Sequence, residues 1–183
     1  MSVSNWMSWE GGVDLVAVTD PSYTTPNVIV HVARMVHTPE GSAASGMVLF
    51  QPDPTAPPLV FGFVSTDKTV GGYFGSHIFA GTPFETAPTV NATIQITEEN
   101  NSVSARLVIG DLIIETRLEG LGKTEEIHRE PGGFTPFTQS GLEATALSAT
   151  LTVNGELIPI YVPEIGITGG PGAVSAPCGF YAR

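Results

Sequence analysis

LSATLTV (147–153), NG (154–155) and ELIPIYV (156–162) follow one another near the end of the chain, two runs of mainly alternating side chains joined by Asn154-Gly155. Asn-Gly supplies the two positive φ angles of a two-residue type I′ turn, so the stretch reads as a β-hairpin. Counting outward pairs Val153 with Glu156, Leu151 with Ile158, Ala149 with Ile160 and Leu147 with Val162, a face expected to be core. Pro159 has no N–H to give the ladder, so the returning strand is expected at an edge or a bulge.

A second unit has the same grammar. Val90, Ala92, Ile94 and Ile96 alternate, the chain turns at Glu98-Glu99-Asn100-Asn101, and Val103, Ala105, Leu107 and Ile109 return. Gly110-Asp111 then turns into Leu112, Ile114, Thr116 and Leu118, which sets Leu107 opposite Ile114 and Arg106 opposite Glu115. That ion pair is solvated and is worth under about 1 kcal/mol. Earlier strands are expected at 13–19, 28–37, 46–51 and 59–65, separated by turns such as PDPTAPP (52–58), with a short one at 179–182. Any helix is expected around 68–79 or within 124–129.

The expected fold is all-β: one domain over 1–183 holding an antiparallel β-barrel of about eight to ten strands, with a β-sandwich as the alternative because alternation does not report closure. Leu107, Ile114, Leu151, Ile158 and Ile160 are its expected interior. The architecture is similar to calycin-like barrels, which hold small apolar molecules. The lipocalin Gly-x-Trp signature is absent, so the similarity is one of architecture and not of family, and it guides function weakly.

Composition bounds the function. Of 183 residues 42% are hydrophobic and 14% charged, and 21 glycines and 15 prolines break the chain into short segments. Seven Lys plus Arg against 18 Asp plus Glu give a net charge of -11, which disfavours nucleic acid and anionic membrane surfaces. Cys178 is the only cysteine, the first residues lack a basic and apolar leader, and no apolar run reaches the roughly 18 to 20 residues of a membrane span. The expected address is cytoplasmic, with no membrane partner. Association into a homo-oligomer is left open.

Two long connections, 67–88 and 120–143, contain GGYFGSHIFAGTPF and GKTEEIHREPGGFTPFTQSG. Loops of this length are often lids or binding loops, and Phe74, Phe79, Phe84, Phe134 and Phe137 are the expected ligand-binding rim of an apolar cavity. The alternative is that they only plug a barrel end. Proton transfer near neutral pH falls to His31, His77 or His128, with Glu125 or Glu126 orienting the imidazole. Tyr73 or Tyr161 would donate to a developing oxyanion. His31 and His37 stand six residues apart on one strand and are expected on the same side; if the valines of 28–36 face a second layer, His31 lines a cavity.

No HxxxH, HxH or CxxC spacing suggests a metal, no GxSxG elbow suggests a nucleophile, and the glycine pairs do not join a strand to a helix as a phosphate cradle does. Metal and cofactor are therefore expected to be absent. The function expected is a cofactor-independent isomerase, cyclase or lyase acting on an apolar organic small molecule, of the kind met in secondary metabolism. A non-catalytic carrier, or a lectin-like or protein-interaction module, is the alternative.

Overall fold

A computed structural model describes residues 5–133 and 135–183. Its strands are β1 (Trp6–Ala17), β2 (Val28–Thr38), β3 (Gly41–Phe50), β4 (Val60–Ser65), β5 (Thr89–Asn91), β6 (Thr93–Glu99), β7 (Ser102–Ile109), β8 (Leu112–Glu119), β9 (Glu125–Arg129), β10 (Thr138–Thr145), β11 (Ser148–Val153), β12 (Glu156–Ile158) and β13 (Ala173–Ala182). Between β4 and β5 lie α1 (Lys68–Tyr73) and a π-helical turn, Phe74–Ile78.

The strands form two sheets, an eight-stranded one in the order β5-β4-β3-β2-β1-β13-β10-β9 and a five-stranded one in the order β12-β11-β8-β7-β6. Neither order returns to its start, so the all-β fold is one of two layered sheets, and no closed ring of strands is present among the described residues. Val13, Leu15, Val28, Val30 and Val48 from the large sheet meet Ala105, Leu107, Ile114 and Leu151 from the small one in a buried core. Ile158 and Ile160 flank it, partly buried.

The hairpin forms around Asn154 at φ 50 and Gly155 at φ 81, with Val153 opposite Glu156 and Leu151 opposite Ile158. It is shorter than its pattern. β12 stops before Pro159, so Ala149 does not pair with Ile160 nor Leu147 with Val162, and Leu147 is 90% exposed. Tyr161 instead exchanges two backbone hydrogen bonds with Val18, tying the small sheet's end to the large sheet. From Thr93 on the meander pairs as read: Leu107 faces Ile114, Gly110-Asp111 turns, and Arg106 faces Glu115 at 3.2 Å. Val90, expected as its first residue, lies instead in β5, which joins the large sheet as a parallel partner of β4, so the fold is not wholly antiparallel.

The other face of the large sheet carries a second core of Met7, Trp9, Ile29, Met47, Phe63 and Tyr181, covered by Tyr73, Phe74 and Ile78. Asp67 starts that cover by accepting from the amides of Thr69 and Val70. β1 serves both cores by changing face midway. Met7 and Trp9 belong to one core, yet Val13, Leu15 and Ala17, also odd-numbered, belong to the other. Gly11, at φ 64, is the irregularity between them.

The second long connection departs most from expectation. Residues 124–129 hold a strand and no helix, and β10 runs through what read as loop. β9 is mostly charged, EEIHR, and β10 buries Gln139 and Glu143, so neither shows the apolar period that betrays a strand. No helix among the described residues is long and apolar enough to cross a membrane.

Candidate functional site

Three neighbouring strands bring together residues far apart in sequence. Asp14 on β1 lies opposite His31 on β2, and β13 flanks β1 on its other side with Tyr181. His31 Nδ1 is 2.8 Å from Asp14 Oδ1, and His31 Nε2 is 3.3 Å from the Tyr181 hydroxyl. Donation of the Nδ1 proton to the carboxylate leaves the Nε2 lone pair to accept the phenol O–H. The result is a carboxylate–imidazole–phenol relay.

The relay ends in an apolar pocket of about 40 Å³. Met7, Met47 and Phe63 form its floor on the sheet, and Phe74, Phe79, Phe84 and Phe137 close over it. Phe79 touches the rings of Phe63, Phe84 and Phe137, and Phe137 stacks on Tyr181 at 3.9 Å, which fixes the phenol's direction. A dry cavity of about 150 Å³ takes up benzene, so the space here fits only a few heavy atoms.

Burial by itself lowers the pKa of His31, but the Asp14 charge, its hydrogen bond and the Glu143 charge outweigh it, and the net shift is upward. Burial, then the charges of Asp14 and Glu143, push the Tyr181 phenol well up, with Arg129 pulling the other way. Tyr181 therefore stays a neutral donor. Glu143, itself buried, receives Arg129 end-on through Nη1 at 2.7 Å and Nη2 at 2.6 Å, and Gln139 Nε2 at 3.2 Å.

Of the residues singled out from sequence, His31, Phe74, Phe79, Phe84 and Phe137 line the pocket. Phe134 lies outside the described residues. His77 stacks on Tyr73 at 4.3 Å and meets Ser76, while the Tyr73 hydroxyl accepts from the Trp6 amide; neither lines the pocket. His128 sits exposed between Ser140 and Glu130, Glu125 and Glu126 are exposed on β9, and Tyr161 is half exposed at its bridge to Val18. His37 does not share the face of His31. A register shift between Ala33 and Val36 turns it outward to Ser42 and Glu10.

Asp14 and Tyr181 went unread in the sequence. A carboxylate between Val13 and Leu15, inside an apolar strand, is the signal that marks Asp14, because an unpartnered charge there would be too costly to keep. Tyr181 carries no such mark. Among the described residues no group of three or more His, Cys, Asp and Glu side chains is arranged to hold a metal ion.

No protein-family model matches the chain, and no curated protein matches it. A similar solved structure is acetoacetate decarboxylase from Legionella pneumophila subsp. pneumophila str. Philadelphia 1, 10% identical, covering 100% of this chain and 88% of that chain at a TM-score of 0.38. A likeness at that level fixes neither the fold nor the chemistry.

Proposed function

We propose that the chain is a cofactor-independent small-molecule enzyme, an isomerase, cyclase or lyase, that binds an apolar organic substrate under the aromatic cover and moves a proton through His31. The single observation that carries this reading is a complete hydrogen-bonded relay, Asp14–His31–Tyr181, ending in a pocket otherwise walled mainly by phenylalanine and methionine, with Thr135, Ile167 and Thr168 at one side. A structural core gains little from a buried carboxylate and imidazole, whereas an apolar site strengthens their action on a bound molecule.

In this scheme Tyr181, kept neutral, turns its one O–H from His31 Nε2 to a substrate oxygen where negative charge develops. His31 takes or returns the proton at the Nε2 lone pair this frees, and Asp14 holds the ring and balances the imidazolium. The role given to His77 or His128 from sequence passes to His31, and that of Tyr73 or Tyr161 to Tyr181. The pocket excludes water from the exchange, which the aromatic cover achieves without a cofactor.

The test is to incubate purified, metal-stripped protein with extracts of its source organism and follow turnover by mass spectrometry. Conversion lost in His31→Gln and Tyr181→Phe variants that still fold supports the reading. Retention of a molecule without conversion makes the protein a carrier, and activity that needs an added metal removes the cofactor-free premise.

A further inference from the structure

Arg129, Gln139, Tyr181 and Met7 lie in one row across four adjacent strands, for the register sets Arg129 opposite Gln139, Gln139 opposite Tyr181 and Tyr181 opposite Met7. Residues directly opposite share a face, so Arg129 is on the pocket side, two strand spacings or about 10 Å along the sheet from Tyr181. A guanidinium carries five N–H donors. Three are taken: Nη1 gives to Glu143 and to Gln139 Oε1 at 3.3 Å, and Nη2 gives to Glu143.

The two left over, on Nε and Nη2, form the side-on fork that matches a carboxylate. Among the described residues Nε has no partner, and no buried side-chain nitrogen or oxygen lacks one, so Nε is accessible. Arg129 lines a surface cleft of about 540 Å³ that shares Thr135, Ile167 and Thr168 with the inner pocket. Gly170 packs against the guanidinium itself, since a Cβ there would collide with its Nη2 and Cζ.

We propose that Arg129 is a carboxylate anchor and that the ligand of this site is a monocarboxylic acid with an apolar body. The inference rests on reading the inner pocket as a ligand site. The acid group sits on the Nε/Nη2 fork, and the body passes Thr135 and Ile167 to reach Tyr181 and His31. Three observations fit this arrangement. The inner cavity is too small for a whole substrate, and the cleft supplies the remaining room. Glu143 and Gln139 hold the guanidinium in place before any ligand arrives, so little side-chain freedom is lost on binding. No other cationic side chain lines the cleft among the described residues, and Glu143 and Glu130 already offset the guanidinium charge, so the fork would hold a carboxylate through its two N–H donors while a dianion is repelled. More distant charges of the net -11 are screened beyond about 8 Å at physiological ionic strength.

The test uses the full chain and three probes with the same pentyl body: hexanoate, hexanamide and pentylphosphonate, titrated by amide NMR shifts. Hexanoate should bind at least about ten-fold more tightly than hexanamide, with pentylphosphonate as its dianion weaker than hexanoate, a tenfold step being about 1.4 kcal/mol. Arg129→Lys, which keeps the charge beside Glu143 but removes the fork, should weaken hexanoate about five- to ten-fold and leave hexanamide within about two-fold. Should Arg129→Lys fail to fold, Arg129→Gln/Glu143→Gln removes both charges together and should abolish the preference for hexanoate. Equal binding of hexanoate and hexanamide, or equal weakening of both by Arg129→Lys, overturns the anchor while leaving the pocket intact. Binding of neither probe overturns the pocket reading and the anchor with it.

Discussion

His31 stands between two oxygens of different character, a carboxylate that favours its charge and a phenol that accommodates either protonation state. Its folded pKa is raised above the ordinary 6.5, so its contribution to stability is complete below that value and is lost as pH rises through the folded value. His31→Gln should flatten this part of the stability profile, which denaturant midpoints measured from about pH 5.5 to 8.5 would reveal; an unchanged slope would mean that the Asp14 contact does not hold the charge. On turnover, His31→Gln should lose about 10² to 10⁴ in kcat, the range of a positioned acid or base. Tyr181→Phe keeps the stack on Phe137 but removes the hydroxyl, and should lose about 10² to 10³ in kcat as one oxyanion donor does. A Tyr181→Phe protein of full activity would confine the phenol to packing.

The cover over the pocket is short, and its first turn depends on one side chain. Asp67 accepts from two amides that α1 itself cannot satisfy, so Asp67→Ala should destabilise the protein by about 1 kcal/mol. Because α1 runs directly into the π-helical turn that starts with Phe74, the same variant should also weaken binding of an apolar probe. Thermal unfolding and a hexanamide titration on one sample separate the two effects. In the small sheet's hairpin, Gly155→Val forces a β-branched residue into φ 81 and should cost about 1 to 2 kcal/mol without touching probe affinity.

The large sheet is a partition. Its one face meets the small sheet through Leu107, Ile114 and Leu151, and its other face carries the pocket. Leu107→Ala, at a fully buried position in the inter-sheet core, should destabilise by about 2 to 5 kcal/mol yet leave hexanamide affinity unchanged. Combined with Phe63→Ala on the pocket face, the two losses should add to within about 0.5 kcal/mol, since the sites share no partners. Strong coupling in unfolding experiments would show that the sheet transmits packing changes from one core to the other.

The hairpin at 148–158 and the meander from 93 to 118 were legible because each is local: a turn with stated φ requirements fixes the register, and alternation then assigns the faces. Val90 was misassigned because alternation runs on unbroken from β5, in the large sheet, into β6, in the small one. The pocket's phenylalanines were legible as a group for a related reason, since apolar rings in Gly-rich connections have to be buried against something. Locality also sets the limit. Pro159 ends a ladder that alternation alone would extend, and Gly11 and the shift between Ala33 and Val36 change which face a strand presents, so Trp9 and His37 could not be assigned by parity. β10 was hidden because two of its three buried residues are Gln139 and Glu143, polar groups tolerated only because Arg129 on the next strand completes their hydrogen bonds. The sequence by itself determined that this chain is all-β, with an apolar interior, several hairpin registers and an acidic surface. Only the tertiary structure decided that the strands layer as two sheets and that Asp14, His31 and Tyr181 meet. Those contacts join positions up to 150 residues apart, and their geometry depends on strand order and bulges, which no local pattern encodes.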